Sequence, residues 1–501
     1  MNHFQSLGSL NRLYRRPMTQ LGFLVLVLCA IGVRPTIAQE RPSETEIEAQ
    51  IERITSRLVP AFQIEGKPVE TTDISERMEQ LGIPGLSIAI AYQGNVLWSK
   101  GYGLADIEEA RQVTPGTLFL AGSISKPVAA LRPLQLADKN ELDLDADVNR
   151  YLKTWKLPEN EFTKEQKVTL RRILNHTAGL TVWGFPGYDL GDRIPSVPEV
   201  LDGAGNTDAV RVFQEPGTGW QYSGGGYTIM QQLLTDFERR SYPELMQANV
   251  LDPLGMSKST YENPLPKKYH AIAATGYRAN GEPVEGKRPI YPEMAAAGLW
   301  TTPSQLLRYA TEIQRVLKTR RDGIIKVSTA LEMLKPGDNE HGLGPVSKEH
   351  TFEHGGADEG FRAMLVAWKK HDYAITVFVN SDNGTILDEI VQSAAAEYGL
   401  PGHEPSIKKP ITLSKKKRSR FVGTYSIEDL TLNIALSENG IQLSRAGAGV
   451  ATEFLPESEQ VFFDTLNGGT IEFILENGTV TGLELKGANL VLKKTEHESK
   501  R

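Results

Sequence analysis

The sequence predicts an α+β fold, with an antiparallel sheet flanked by helices and a small all-β domain after it. Two observations predict this fold. Apolar strand patterns occur at 86–98 and again at 363–379, and helical patterns dominate between them. After residue 420, short alternating strands are separated by Asn-Gly dipeptides, which favour tight hairpins. The first region therefore has a helical insertion within its sheet, and the second is a small meander or barrel.

The first 38 residues have the pattern of a secretory signal peptide. Arg12, Arg15 and Arg16 precede an apolar run from Leu21 to Val33, and residues 36–38 are small enough for cleavage. A run of 13 residues is short for a membrane span, which needs about 20, so a cleaved signal is favoured over a membrane anchor. We expect a periplasmic or extracellular protein, exported by the general or the twin-arginine route.

Composition excludes several classes of function. The only cysteine, Cys29, lies in the apolar run, so the mature chain should have no disulfide and no catalytic thiol. Leu28 is larger than the residue that lipid attachment at Cys29 would favour. Beyond the first 38 residues, 51 basic and 62 acidic residues give a net charge of −11, which disfavours a nucleic-acid partner. The 9 histidines form no metal-binding motif, and we expect no metal and no cofactor.

Helix and strand patterns alternate along the first 400 residues. The predicted elements are, in order, a helix from Glu44 with apolar residues at 47, 51, 54 and 58, a hairpin at 86–98 around Gln93-Gly94-Asn95, a helix that reaches Leu136, mainly helical segments to about Lys335, strands at 363–368 and 374–379, and a helix at 386–398.

The last hundred residues divide into a connector and a β domain. Prolines and the basic run Lys415–Arg418 predict a solvated linker at 401–420. Asn-Gly dipeptides at 439–440, 467–468 and 477–478 mark hairpin turns. The predicted organisation is a signal peptide at 1–38, a larger domain at 39–400, the linker at 401–420 and the β domain at 421–501.

Ser123-Ile124-Ser125-Lys126 places a hydroxyl and an amine three residues apart at the predicted start of a helix. Such residues share a helix face, so the Lys126 amine can lie beside the Ser123 oxygen and take its proton. The same spacing occurs at Ser406–Lys409 and Ser414–Lys417, but these pairs lie in the connector without apolar periodicity. Apolar residues flank Lys126 on both sides, which indicates a buried segment.

Three further segments give Ser123 its context. Tyr222 lies on a Gly-rich loop before a helix predicted to begin near Tyr227, and such loops often position reactive groups. His354-Gly355-Gly356-Ala357 comes just before a strand, and its glycines would let a substrate carbonyl approach backbone N–H groups. Residues 174–180 form a helix end and a turn, which we interpret as structural.

This order of motifs resembles the serine β-lactamase and penicillin-binding-protein superfamily. Within it, the chain is most similar to the branch of class C β-lactamases, D-aminopeptidases, D-alanyl-D-alanine carboxypeptidases and family VIII carboxylesterases, where Tyr replaces the second Ser. The resemblance covers roughly residues 83–400 and implies a β-lactamase/transpeptidase-like fold with a helical subdomain. Four further sequence segments are similar to the family: Pro84-Gly85-Leu86-Ser87, Leu174-Asn175-His176-Thr177-Ala178-Gly179-Leu180, Pro253-Leu254-Gly255-Met256 and Ala297-Gly298-Leu299-Trp300-Thr301-Thr302. The C-terminal domain resembles the lipocalin-like domains of related hydrolases.

The resemblance implies a role for each matching residue. Ser123 would be the acylated nucleophile, Lys126 its proton partner, and Tyr222 would share the role of general base. A desolvated lysine with a tyrosine in reach makes the serine proton easier to remove. The backbone N–H groups of Ser123 and Ala357 would form the oxyanion hole.

Two departures from the family pattern concern the substrate. The family's third motif begins with a lysine, and His354 takes its place in this chain. With Gly355 and Gly356, His354 would contact the substrate. It supplies no fixed positive charge near neutral pH. Gly224 replaces an asparagine that holds the side-chain amide of a β-lactam. Arg362 could supply a replacement cation. These departures favour an ester or a peptide over an antibiotic as substrate.

The leading hypothesis is a secreted serine hydrolase that acts through a Ser123 acyl-enzyme on a small ester, an amide or a D-amino-acid peptide. The alternatives are a β-lactamase and a non-catalytic binding protein on the same fold, although inactive relatives would be expected to lose Ser123, Lys126 or Tyr222. An α/β-hydrolase would need Gly-x-Ser-x-Gly, which does not occur. The β domain is expected to shape the cleft or to set the number of subunits, for which the sequence carries no signature.

Overall fold

The computed structural model describes residues 42–427, 430–446, 451–486 and 490–495. The predicted signal peptide, residues 1–38, lies outside these ranges. Within them, no helix is both long enough and apolar enough to cross a membrane. The α-helices are α1 (Glu44–Thr55), α2 (Ile74–Leu81), α3 (Ser125–Asp138), α4 (Leu170–Leu174), α5 (Val197–Leu201), α6 (Gly224–Glu238), α7 (Tyr242–Met246), α8 (Met294–Ala297), α9 (Pro303–Thr319), α10 (Val327–Met333), α11 (Thr385–Tyr398) and α12 (Lys415–Ser419).

An antiparallel sheet joins the two ends of the larger region, as the sequence predicts. The strands before residue 410 are β1 (Phe62–Ile64), β2 (Gly85–Tyr92), β3 (Asn95–Asp106), β4 (Arg111–Gln112), β5 (Phe119–Leu120), β6 (Trp300–Thr301), β7 (Val346–Ser347), β8 (Thr351–Asp358), β9 (Phe361–Trp368), β10 (Tyr373–Val379) and β11 (Ser406–Lys408). Seven of them form one sheet in the order β4-β3-β2-β10-β9-β8-β7. The early hairpin therefore pairs with a late strand, β10, and the helical insertion lies between them in the chain.

Side-chain alternation along β2 separates two hydrophobic clusters. Leu86, Ile88 and Ile90 point to the face covered by α1 and α11. Ala89 and Ala91 point to the opposite face, where their small side chains let α9 lie close to the sheet. Helices α3, α6 and α8 belong to this second cluster. The sheet is therefore buried on both sides, and the predicted site residues lie on the α9 side.

The C-terminal region is a closed barrel, in agreement with the predicted meander or barrel. Its strands are β12 (Gly423–Ile427), β13 (Leu430–Leu436), β14 (Ile441–Arg445), β15 (Ala451–Pro456), β16 (Val461–Asp464), β17 (Thr470–Glu476), β18 (Thr479–Leu485) and β19 (Leu490–Thr495). Aromatic rings fill the interior, with Phe421 stacked on Phe473 at 4.3 Å between ring centroids. Asn477 and Gly478 both have positive φ, as a tight hairpin turn requires.

Residues 401–420, predicted to be a linker, contain both β11 and α12. Strand β11 pairs in parallel with β1. The prediction of a solvated basic run is wrong for Arg418, which is 7% exposed. Its guanidinium donates to the carbonyls of Leu413, Ser437 and Gly440. The physical reason is that the Ser437 and Gly440 carbonyls, at the turn between β13 and β14, and the Leu413 carbonyl before α12 need donors when buried, and a guanidinium supplies several at once.

The barrel contacts the rest of the chain through β1 and β11. The Phe62 and Phe463 rings meet edge to face at 6.2 Å between centroids, and Lys408 forms an ion pair with Glu457. Residues just before β1 bond to α11, for example the Ala61 carbonyl to Gln392. Among the described residues, no hydrogen bond or ion pair joins the barrel to a predicted site residue. Within one chain, these contacts do not support the expectation that the barrel shapes the cleft.

Candidate active site

Ser123 and Lys126 form the pair that their spacing predicts. A short 3-10 turn, Gly122–Ile124, leads directly into α3. The Lys126 Nζ lies 2.9 Å from the Ser123 Oγ and also donates to the Ala296 carbonyl at 2.9 Å. Lys126 is only 2% exposed. The amine is therefore fixed beside the hydroxyl and shielded from water, a geometry suited to proton transfer.

Strand β8 contacts the turn that carries Ser123. The His354–Ala357 segment, which we predicted only to precede a strand, is itself part of β8. Gly122 has φ +55°, and a Cβ built on it would lie 2.5 Å from the Ala357 nitrogen. A Cβ on Gly356 would lie 2.1 Å from the Ala121 carbonyl oxygen. Both glycines thus permit the approach that brings Ser123 close to the predicted second oxyanion donor.

Replacement of Gly356 by Ala should destabilise the protein by about 1–3 kcal/mol, because the added methyl group meets a backbone carbonyl that cannot easily move. Gly355→Ala is the matched control, since its nearest neighbour would be 4.0 Å away, and its free energy of unfolding should change by less than about 0.5 kcal/mol. Urea unfolding of both variants measures the difference. Equal stabilities would contradict the close contact between β8 and the Ser123 turn.

Tyr222 lies next to the Ser–Lys pair. Its ring is stacked on His176 at 4.2 Å, and the Lys126 Nζ is 5.0 Å from the ring centroid. Among the described residues, its hydroxyl has no hydrogen-bond partner and is available to a substrate. Helix α6 begins at Gly224, three residues before the predicted start, because the Ser223 side chain accepts a hydrogen bond from the Gly226 N–H.

Three histidine rings lie within 6.4 Å of the Tyr222 ring, measured between centroids. His176 and His341 are 5.0 Å apart, and His341 and His354 are 6.4 Å apart, between ring centroids. The His354 Nδ1 bonds to the Gly355 carbonyl at 2.6 Å, and the His176 Nδ1 accepts from the Ser223 N–H at 3.1 Å. The sequence did not indicate His341, because it lies in an irregular loop far along the chain.

Burial and the nearby Lys126 charge keep these imidazoles neutral. Burial lowers the pKa of His176 well below its usual value, and the pKa of His341 moves the same way. For His354, burial followed by the Lys126 charge lowers the pKa to about 3. Near neutral pH, His354 thus offers no positive charge for a substrate carboxylate.

The two remaining predicted substrate residues are constrained by their neighbours. A Cβ on Gly224 would lie 3.1 Å from the Phe185 ring and from the Trp183 carbonyl, so this position has little room for a side chain. Arg362 donates to the Asp358 carbonyl at 2.5 Å and pairs with Asp382 at 3.1 Å. Its charge is therefore already compensated. No group of three His, Cys, Asp or Glu in the described ranges could hold a metal ion.

The sequence matches known proteins over this same region. The model of the Beta-lactamase family matches residues 71–397. Penicillin-binding protein 4* of Bacillus subtilis is 24% identical over 420 residues, which cover 78% of this chain and 90% of that protein. Putative penicillin-binding protein PbpX of the same organism is 22% identical and covers 75% of this chain and 94% of its own length.

Solved structures share the fold. SurE, solved with D-Leu, has a TM-score of 0.57 at 21% identity and covers 90% of this chain and 100% of its own. A class C β-lactamase has a TM-score of 0.54 at 21% identity and covers 72% of this chain and 98% of its own. The sheet that contains β8, and the turn before α3 that carries Ser123, therefore belong to a fold that is seen in other solved proteins.

Proposed function

The chain belongs to the Beta-lactamase family, and on that premise we propose that it is a serine hydrolase whose Ser123 forms an acyl-enzyme with an ester, an amide or a D-amino-acid peptide. One observation carries the proposal: the buried Lys126 Nζ lies 2.9 Å from the Ser123 Oγ. Serine is a weak nucleophile unless a neighbouring base takes its proton. A purely binding protein would have no need of this pair, which argues against the non-catalytic alternative.

The proposed reaction has two acyl-transfer steps. In this step Lys126 acts as the neutral amine: helped by Tyr222, it accepts the Ser123 proton as the oxygen attacks the substrate carbonyl carbon, and becomes the ammonium. The N–H groups of Ser123 and Ala357 stabilise the oxyanion of the tetrahedral intermediate. The proton passes to the departing alcohol or amine, and the ester to Ser123 remains. Water then attacks this ester, with the same groups removing its proton, and releases the acid.

Two features of the site favour esters and peptides over β-lactams. His354 is neutral, so it lacks the charge that would hold a penicillin carboxylate. Phe185 crowds Gly224, where the family's β-lactamases carry an asparagine. The proposed substrate is therefore a small ester, amide or peptide. Its proposed location is outside the cytoplasm, which rests on the sequence of residues 1–38 alone and stays a prediction.

Covalent labelling tests the proposal. The protein is treated with a fluorophosphonate, a short acyl ester, a D-Ala-D-Ala peptide or nitrocefin, and the intact mass is measured, followed by peptide mapping. We expect the fluorophosphonate, and at least one substrate, to modify the peptide that contains Ser123. A label on another residue, or no adduct and no turnover with the whole panel, would overturn the proposal.

A further inference from the structure

Trp183 contacts Tyr222 but has no part in the proposed reaction. Its side chain is 67% exposed, and its ring meets the Tyr222 ring at 5.4 Å between centroids, with the two planes inclined by 44°. Within the described ranges, no other aromatic ring contacts it. A tryptophan stabilises a fold mainly through burial of its large apolar surface. Core packing therefore does not explain this residue, and most of its ring is open to a ligand.

The backbone at Trp183 is fixed to the start of α6. The first N–H groups of a helix have no acceptor within it, and two of them donate to this segment. The Gly224 N–H donates to the Trp183 carbonyl at 3.0 Å, and the Gly225 N–H donates to the Val182 carbonyl at 3.1 Å. Because Tyr222 lies just before this helix, its ring and the indole are carried by one hydrogen-bonded unit.

Val182, just before Trp183, has an unfavourable backbone conformation. Its φ is +63°, in the left-handed region that a β-branched residue rarely adopts. Such conformations persist only where surrounding contacts hold them, and they concentrate at binding sites. Here the Ser223 hydroxyl donates to the Thr181 carbonyl at 2.8 Å, with the Val182 carbonyl 3.3 Å away. The fold thus holds the bend that presents the Trp183 side chain outward, beside Tyr222.

A groove of about 790 Å³ adjoins this bend. Val182 and Gly184, the two neighbours of Trp183, line it together with residues from the stretch 203–209. Among the described residues that line it, Asp208 is the one charged side chain, so the groove offers no cation for an acidic substituent. Space for a neutral part of a substrate is therefore present next to the indole.

A short series of contacts joins the indole to the nucleophile. The Ser123 Oγ lies 2.9 Å from the Lys126 Nζ. The Lys126 Nζ lies 5.0 Å from the centroid of the Tyr222 ring, and that ring contacts Trp183. A substituent a few bonds from the carbonyl that Ser123 attacks therefore reaches the indole. Aromatic groups gain most there, because ring pairs have favourable offset and edge-to-face arrangements in addition to the burial of apolar area.

We propose that Trp183, beside Tyr222, binds an aromatic group of the substrate and thereby determines specificity. The group is carried either by the acyl part or by the departing alcohol or amine. This inference rests on the proposed hydrolase function and adds a substrate class to it. The preferred substrates are esters, amides or peptides with an aromatic ring close to the bond that is broken.

Three esters test this subsite. Methyl acetate has no ring, methyl phenylacetate has a ring on the acyl side, and benzyl acetate has one on the alcohol side. We expect the wild type to hydrolyse at least one aromatic ester with a higher kcat/KM than methyl acetate. Each ester is also compared between the wild type and the variants, because that ratio cancels differences in intrinsic reactivity.

Trp183→Ala should lower kcat/KM for the preferred aromatic ester by roughly tenfold. The loss should appear mainly as a higher KM, because a ring remote from the reacting carbonyl contributes equally to ground-state and transition-state binding. For methyl acetate, kcat/KM should change by less than about threefold. Trp183→Phe keeps an aromatic ring and should recover most of the loss. Melting temperatures of both variants show whether the fold is retained.

Leu190→Ala is the control, because Leu190 is another exposed apolar side chain of this segment, at 62%. It lies against Gly286, and among the described residues it has no contact with Tyr222 that resembles the one of Trp183. Its kinetics with all three esters should match those of the wild type. Equal losses of Trp183→Ala with all three esters, unchanged kinetics of this variant, or the same losses in Leu190→Ala would overturn the subsite.

The two aromatic esters show where the ring is attached. A loss confined to methyl phenylacetate supports the subsite and places the ring on the acyl side, and a loss confined to benzyl acetate supports it and places the ring on the alcohol side. Fluorophosphonate labelling separates the two proposals. A labelled wild type that hydrolyses neither aromatic ester faster than methyl acetate refutes the subsite alone, whereas an unlabelled and inactive wild type refutes the hydrolase as well.

Discussion

Ser123→Ala is expected to lower kcat by about 10⁴-fold or more, because the oxygen that forms the acyl-enzyme is removed. Fold and substrate binding should persist. The Ser123 side chain has one hydrogen bond, from Lys126, and the turn that carries it is held by backbone contacts of Gly122 with β8. The measurement is turnover of the most active ester of the panel, together with fluorophosphonate labelling and the melting temperature.

Ser406→Ala is the control for this variant. Ser406 also has a lysine three residues later, but it lies in β11, exposed and away from the Ser–Lys pair. Its activity and labelling should match those of the wild type. Retained labelling of Ser123→Ala, with mapping to another serine, would contradict the assignment of the nucleophile even if activity fell.

Lys126→Met should reduce kcat by roughly 10²- to 10⁴-fold, the usual contribution of a general base. Methionine has a similar length and no charge, so it can occupy the buried space near the rings of Tyr222 and Tyr227. KM should change much less than kcat, because the amine acts on the serine proton. Rates from pre-steady-state acylation give the most direct measurement.

Lys417→Met tests whether loss of any lysine in a Ser-x-x-Lys pair has this effect. Lys417 is exposed and pairs with Glu459 on the surface, and such pairs contribute little to stability. We expect wild-type kinetics. If Lys126→Met acylated at the wild-type rate, Tyr222 alone would have to serve as base, and the proposed division of roles would be wrong.

Local patterns predicted most of the secondary structure and the order of the motifs. The hairpin at 86–98 and the turn at Asn477-Gly478 were both predictable, because strand alternation and φ-positive turn residues act over a few neighbours. The Ser123–Lys126 contact was predictable for the same reason, since helix geometry fixes residues three positions apart. The family resemblance added the expectation that Tyr222 and His354 approach the same point, and the structure brings them there.

The side-chain contacts that the sequence did not reveal are formed between residues far apart in the chain. His341 meets His176 only after the chain folds, and nothing in its loop indicates this. Arg418 resembled its lysine neighbours in sequence, yet only its side chain meets the carbonyls of the barrel turn. In each case the deciding partner lies more than fifteen residues away.

The pairing of β2 with β10 has a consequence for synthesis of the chain. Tyr92 faces Tyr373 in this register, so one edge of the apolar strand β2 has no partner until residue 379 has been made. At 5–20 residues per second, that interval lasts about 15–60 s. During it, an unpaired edge of eight mostly apolar residues can join another chain. A holding chaperone should therefore raise the yield of this protein most when it acts before β10 emerges.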